Sequence, residues 1–387
     1  MKNLMYHEDH RHATWLELFF DLIFVVLIGR ITHILAHTHN GHLEMEYILK
    51  FPLMFIPVWW LWINHTIYSN LYDTDSKEHR FITLVIMLLM IGLSIFVDVD
   101  FEEVFYGFIT LYSLIRFIIA LLYRLSSGKH EGDRKHAELL GHIYMGTALL
   151  GFASIFLPVS LRYYVVYFSL VLDFILPVLL GGKMKSVSIH REHLVERIGL
   201  LIIIMLGESV ISLVHTLNTI HWNWLNALAA FAGFVLIGGI WWILFDFIYL
   251  LFESEKIRKP YVLIFPSLLL FMGLSVIANL IRHAILDDLD VDSFRLLMGI
   301  GVVIFFLGKQ ISYYVLYEKI RKYIIQNTFI VFVICGLSML LPRNEYMLVG
   351  MNVALFTYIA ITFRYMIDEE IAVRHLHMKK ERIEEKK

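Results

Sequence analysis

The segment "TWLELFFDLIFVVLIGRITHILA", Thr14 to Ala36, is apolar enough to cross a bilayer, yet it carries Glu17, Asp21 and Arg30. Charged side chains at membrane depth are costly unless paired or hydrated. They therefore face the protein interior and mark ion pathways, proton relays or ligand sites. Asn64, Arg116, Asp173, Arg197, Glu208, Asp246 and Lys309 also lie inside apolar runs, and His193 and Glu196 stand at the head of one. With a helical rise of ~1.5 Å per residue, Asp21, Arg116, Asp173 and Lys309 share a level roughly 10–14 Å from one membrane face. Asp246 is slightly shallower, and Arg30 and Glu208 share a deeper level. Depth alone predicts three pairs: Arg116 with Asp21 or Asp173, Lys309 with Asp246, and Arg30 with Glu208. Removing one partner of such a pair strands a buried charge.

Helical periodicity adds direction. In the seventh apolar run, His193, Arg197, Glu208, Ser212 and His215 fall on one stripe, interrupted by Leu201 and Ile204. In the first run Glu17, Asp21 and Thr32 share one side, and Arg30, His33 and His37 roughly the other. A helix polar on two sides needs polar neighbours on both, which places it centrally in a bundle.

The elements that must position these groups are transmembrane helices. The chain is 58% hydrophobic and only 18% charged, with a mean hydropathy of +0.68, a composition of polytopic membrane proteins rather than soluble domains. Twelve runs meet the length of a spanning helix: 15–36, 47–68, 81–97, 103–123, 139–158, 162–181, 194–216, 223–250, 261–281, 296–317, 323–341 and 345–366. The first is too long for a signal-peptide core and has no small-residue cleavage site, so Met1 to Thr14 is expected to be a retained tail. Lys and Arg crowd the tails and alternate connections, whereas the other connections hold only Arg162, Arg282, Arg295 and Arg343 and are acidic, as in "DVDFEE" and "DDLDVD". That asymmetry predicts both termini in the cytoplasm, with the loops at Lys77, Lys129, Lys185, Lys256 and Lys319.

The chain also reads as written twice. "WWLWINHTIY" parallels "WWILFDFIYL", and "MIGLSIF" parallels "FMGLSVI", with Trp59 matched to Trp241, Gly92 to Gly273 and Glu17 to Glu196. The expected organisation is a first six-helix half with its tail (1–189), a second half (190–366) and a charged cytoplasmic tail (367–387). Parallel repeats of this kind occur in secondary transporters.

"RHATWLELFFDLIFV", "WINHTIYSNLYDTDSKEHR" and "HLVERIGLLIIIMLGESV" together resemble the bacterial low temperature requirement A (LtrA) family. The resemblance runs from Arg11 to about Tyr249 and more loosely onward. It implies a multi-pass bacterial membrane protein, without an agreed chemistry. Its marked positions fall on Trp15, Glu17, Phe20, Asp21, Trp62, Asn64, Tyr68, Asp73, Asp75, His193, Glu196, Arg197, Gly207 and Glu208. A histidine that the family pattern carries near Phe265 is absent.

Other signals carry less. The 19 histidines cluster in "HEDHRH" (His7, His10, His12) and around His33, His37, His39 and His42, without metal-ligand spacing, so no metal or cofactor is implied. Cys335 stands alone, which excludes an internal disulfide. Nucleic-acid modules are absent. The basic tail "RHLHMKKERIEEKK" is mixed in sign and reads as a solvated helix end that touches anionic lipid.

The reading is an all-α polytopic protein of the bacterial inner membrane, transporter-like and not an enzyme. Its intramembrane polar site is coupled to an ion or proton, with an unidentified small solute as its ligand. The alternatives are a membrane-embedded enzyme or cofactor protein, and a structural or sensor protein whose charges only pack helices. The partners implied are the bilayer and that solute. Oligomeric state, homo-oligomers included, stays open.

Overall fold

The computed structural model of the chain describes residues 12–72, 76–126, 131–181, 189–253 and 260–384. Among them are twelve helices long and apolar enough to cross a membrane, and no β-strand. They are α1 (Trp15–Thr32), α2 (Met45–Tyr72), α3 (Lys77–Ile95), α4 (Phe101–Leu125), α5 (Glu131–Ala153), α6 (Val159–Gly181), α7 (Arg191–Leu217), α8 (Trp224–Glu253), α9 (Tyr261–Leu286), α10 (Val291–Leu316), α11 (Arg321–Ser338) and α12 (Asn344–Glu384). The predicted spans are all present, and α12 runs on through most of the basic tail.

Each helix sorts its residues by the solvent it meets. On α3, Phe81, Leu88 and Ile95 recur every seven residues and are 68–70% exposed, a stripe of bare hydrocarbon that suits lipid. Thr83, Ile86, Met87, Met90 and Leu93 occupy the opposite side and are buried. Polarity is thus inverted relative to a soluble bundle, with charge inside and hydrocarbon outside.

Helix α9 is the central post. Two-thirds of its apolar window is buried (67%), against 17% for the peripheral α11. It packs on α7, α8, α10 and α12 and also touches α1 and α2. Its approach to α10 depends on missing side chains: a Cβ on Gly273 would lie 2.6 Å from the Phe305 backbone, and one on Gly308 2.3 Å from the Leu270 backbone. Small residues at a crossing let two membrane helices touch backbone to backbone.

Helix α1 lies among α2, α3, α7 and α9 and buries the side that carries Glu17 and Asp21, whereas Arg30, His33 and His37 on its other polar side are exposed, so it is not enclosed on two sides as its polarity predicted. It starts at Thr14, whose hydroxyl accepts from Glu17 N at 3.3 Å while the Glu17 carboxylate accepts from Thr14 N at 2.8 Å. This is a capping box, which satisfies N–H groups left orphaned at a helix start. Helices α1 and α7 run in the same direction and face each other from the end holding Thr14 and His190, here the N-terminal end, to the opposite end.

The matched repeat positions occupy unlike places. Trp59 is fully buried and Trp241 is 50% exposed. Gly273 meets the α10 backbone, whereas a Cβ on Gly92 would meet only the Leu111 side chain at 3.4 Å.

Candidate functional site

At the N-terminal end of the α1–α7 seam, Glu17 and Asp21 lie one turn apart on α1, and His193 and Arg197 one turn apart on α7. All four are at most 1% exposed. Asp21 takes Arg197 side on: Nη2 donates to Oδ1 at 2.6 Å and Nε to Oδ2 at 3.1 Å. The planar guanidinium matches a carboxylate in this two-pronged way, which fixes orientation as well as charge. Trp62 Nε1 from α2 donates to the same Oδ1 at 2.7 Å. The third guanidinium nitrogen, Nη1, reaches Glu17 Oε1 at 3.0 Å. One cation is thereby shared by two carboxylates.

The tautomer of His193 follows from its surroundings. His190 N donates to Asn70 Oδ1 at 2.9 Å, which identifies the amide oxygen, and Asn70 Nδ2 donates to His190 O at 2.8 Å. The remaining Nδ2 proton points at His193 Nδ1, 2.9 Å away, so Nδ1 accepts. His193 Nε2 therefore carries the proton and donates toward Glu17, at 3.1 Å from Oε1 and 3.3 Å from Oε2. Asn70 thus sets the histidine by holding the α7 approach on both backbone edges. Nearby, Glu196 Oε2 accepts from Ala13 N at 3.0 Å, and its Oε1 lies 3.5 Å from His12. This ties α7 to the chain entering α1.

Above this lattice the seam is apolar: Phe24, Val25 and Ile28 of α1 and Leu201 and Met205 of α7 are all buried. Beyond them a cavity of about 120 Å³ lies between α1, α7 and α9, lined by Gly29, Thr32, His33, Glu208, Ser209, Ser212, Ser275, Asn279 and Arg282, with apolar neighbours. Glu208 is half-buried and meets no cation within 4.0 Å among the described residues. A Cβ on Gly29 would lie 3.3 Å from its Oε1, so the glycine makes room for the carboxylate. Around the cavity rim, α9 donates to the carbonyls that end the first span: Asn279 to Thr32 O at 3.0 Å, His283 Nε2 to Leu35 O at 2.9 Å and Arg282 to Ala36 O at 3.4 Å. Donors and positive charge belong at a helix C-terminus, where carbonyls lack partners.

Matched against the sequence, these contacts sort the predicted residues. Arg116 pairs with Asp173, whose other oxygen accepts from Thr147, and Arg116 also donates to Ser169 at 3.3 Å. Gly151 admits the guanidinium, since a Cβ there would lie 3.3 Å from Nη1. The depth argument held for this pair, placed Lys309 near Asp246 without a direct ion pair, and misassigned Arg30 with Glu208. Arg30 and Glu208 do not pair: Arg30 is exposed in the last turn of α1, where its charge suits the helix dipole, and it is the neighbouring Gly29 that touches Glu208. Lys309 meets no carboxylate within 4.0 Å. Its ammonium donates to Tyr358 Oη at 2.7 Å and sits 4.5–5.8 Å from the rings of Tyr313, Tyr358 and Phe247, a cation–π cage. Asp246 is half-buried; Trp242 donates to it and Lys309 is near enough to act on it by charge, without an ion pair within 4.0 Å among the described residues. Asp21 belongs with Arg197, not with Arg116. Asn64 is buried, and its backbone oxygen accepts from Tyr123 Oη at 3.1 Å.

The family model for the bacterial low temperature requirement A protein (LtrA) matches residues 12–365. The chain belongs to the LtrA family. It is an integral membrane protein of twelve spans. A relative, an uncharacterized protein of Rhizobium meliloti (strain 1021), is 24% identical over 247 residues, which are 61% of this chain and 59% of the relative. The chain thus spans about three-fifths of that relative's length. Of the LtrA-marked positions, Glu17, Asp21, Trp62, His193 and Arg197 converge on one lattice, and Glu208 lines the cavity. Trp15 is 88% exposed. Asp73, Asp75, His7 and His10 lie outside the described residues, as do Lys129, Lys185 and Lys256.

Sequence reasoning missed Asn70, Thr147 and the capping role of Glu17. The last was visible, because "TWLE" is the T-x-x-E capping pattern. "HNGH" also held a signal: Asn40 and Gly41, both at positive φ, form a two-residue turn closed by paired bonds of 2.9 Å between His39 and His42. That turn docks on α10 through Gly41 O, which accepts from Asp290 N at 2.7 Å. Among the described residues, no set of three His, Cys, Asp or Glu side chains is arranged to hold a metal ion.

Proposed function

We propose that this LtrA-family chain moves a small solute or ion across the bacterial inner membrane along the α1–α7–α9 seam, driven by a proton or cation. The supporting observation is the seam's asymmetry. It is closed and ion-paired at the N-terminal end, yet holds a cavity of about 120 Å³ with a half-buried carboxylate at the other. A carrier caught between accesses has that form, with a closed gate on one side and a site reached from the other. The positive-inside pattern makes the gate cytoplasmic and the cavity external. Glu208 is the ligand or ion carboxylate, and Glu17, Asp21 and Arg197 form the gate whose opening would admit exchange with the cytoplasm.

The order of neighbouring helices supports the same reading. Neighbour order in the second half (α7–α9–α10–α11–α12) follows that in the first (α1–α3–α4–α5–α6), and the lead helices α1 and α7 meet where the halves join.

The test is charge movement in proteoliposomes adsorbed on a solid-supported membrane, screened against amines, organic acids, sugars and inorganic ions with and without a pH gradient. A solute- or gradient-dependent current in the wild-type protein, lost in Glu208→Gln, supports transport. Absence of current across the panel and gradients, from protein that retains its fold, contradicts it.

A further inference from the structure

We propose that His65 is a buried proton-holding station beside the gate, passing a proton between the N-terminal aqueous face and the Glu17 carboxylate. It deepens the transport reading by making the proton the coupling ion, and rests on that reading only for what the proton drives.

The starting point is α2, whose stretch "NHTIYS" crowds polar groups into the interior. Asn64 Oδ1, both ring nitrogens of His65, Thr66 Oγ1 and Ser69 Oγ are buried without a hydrogen-bond partner. An imidazole always carries at least one donor or acceptor that needs an answer, and His65 is 0% exposed. A phenyl ring would fill the same slot without that penalty. Several orphaned groups within two helical turns make the kind of site that holds internal water.

The position of His65 says what such water connects. Its ring stacks on Phe20 at 3.9 Å and 12°, and Phe20 lies between Glu17 and Asp21 on α1. On the other side, His79 of α3 is 6.2 Å away at 25°, followed by Tyr68 at 5.5 Å and 22°. Tyr68 neighbours Tyr72, whose hydroxyl is 2.8 Å from His136 Nδ1 near the N-terminal end of α5. The column of protonatable rings thus leads from the end of the bundle to the gate. Its ring spacings exceed hydrogen-bond reach, so water must complete it. The charged and titratable groups bearing on His65 are Glu17 and Asp21 from α1, His79 from α3, and Arg197 and His193 from α7.

The transfer balances without a co-reactant. A hydronium ion entering at the N-terminal face gives its proton along the water file, and an N–H bond forms at an open His65 nitrogen. That N–H bond then breaks as an O–H bond forms on the Glu17 carboxylate. Protonated Glu17 no longer holds Arg197 Nη1 by charge, which loosens the gate.

The experiment is ¹⁵N-histidine NMR of the full chain in nanodiscs, from about pH 8, above the range in which imidazole ordinarily titrates, down to the lowest pH at which the fold persists. The His65 resonances are identified by their loss in His65→Phe. His65 is expected to titrate, with its transition moving to lower pH in Glu17→Gln, where a nearby negative charge is gone. His65→Phe itself should melt at or above the wild-type temperature. A His65 ring that keeps one neutral tautomer throughout, or a transition unmoved by Glu17→Gln, overturns the proposal. So does a His65→Phe chain that is markedly less stable, since the ring would then be structural. A titrating His65 in a protein that drives no current supports the station while contradicting transport.

Discussion

The two ends of the α1–α7 seam are built from the same pair of helices and do opposite things with charge. At the N-terminal end the charges of Glu17, Asp21 and Arg197 answer one another within 3.1 Å, and none of the three is more than 1% exposed. At the opposite end Glu208 lines a cavity with no cation within 4.0 Å of it among the described residues, beside a glycine that gives it space. Saturated ion pairs in a low-dielectric interior fix geometry and are hard to break one partner at a time. A carboxylate left open to a cavity fixes little and is available to something else. The difference separates a gate from a binding position, and it can be attacked from either side.

The largest effect should come from stranding the gate. Arg197→Ala leaves Glu17 and Asp21 buried together without their shared cation, at an expected cost of about 3–5 kcal/mol. Thermal unfolding in detergent reads this, and Asp21→Asn placed on Arg197→Ala should recover part of the loss. If Arg197→Ala melts like the wild type, the lattice does not close the seam. Next is Asn70→Leu, which removes the amide that sets the His193 tautomer and takes away the acceptor of the His190 N–H. The expected cost is ~1–3 kcal/mol, read in the same melt.

Glu208→Gln should change stability by less than about 0.5 kcal/mol, since surface-like positions away from special contacts usually do. A large destabilisation would show that Glu208 has a structural partner and erase the contrast.

A modest, pH-dependent effect concerns the turn that docks beside the cavity end. Asp290 caps α10, accepting from the backbone N–H of Asp292 at 3.1 Å and of Ser293 at 3.2 Å, and lies 2.9 Å from His42. Partial burial works to raise its pKa, but the bonds from Ser293 and Asp292 and the nearness of His42 outweigh it, and the net shift is downward. A carboxylate whose folded pKa is depressed adds stability above its ordinary pKa of about 3.9 and loses it as pH falls through the folded value. Asp290→Ala should therefore cost about 1 kcal/mol at pH 7, the usual worth of a cap, and little once the wild-type carboxyl is protonated in acid. Melting curves of both proteins at the two pH values check this.

How far the sequence carried these conclusions differs by level. Twelve spans were legible because a bilayer demands about 20 apolar residues per crossing and little else. Arg116 with Asp173 was legible because depth was enough to find a partner. Depth failed for Arg30 and Glu208, which share a level but not an azimuth: one residue along α1, Gly29 takes the facing position. For Lys309 it found the neighbouring charge of Asp246 but not the direct contacts, because aromatic faces and a tyrosine hydroxyl can answer a cation as a carboxylate would, and a charge count does not see them. Asp21 was drawn toward Arg116 by level when its partner lay on α7. Which helices are neighbours is set by packing such as the Gly273–Phe305 contact, which no single span displays. The fold class was therefore readable from the chain, whereas the pairing inside it was readable only where one partner was available.

The contrast itself is tested most directly by accessibility along α7. Single cysteines at Ile198, Ser209 and Ser212, introduced on a Cys335→Ser background, would be challenged with a membrane-impermeant thiol reagent in sealed vesicles of each orientation. Ser209→Cys and Ser212→Cys should label from the cavity side only, and Ile198→Cys, one residue beyond Arg197, from neither. Arg197→Ala should then render Ile198→Cys reactive from the N-terminal side. Labelling of Ile198→Cys at the Ser212→Cys rate with the lattice intact, or no labelling at any of the three, would contradict a seam closed at one end and open at the other.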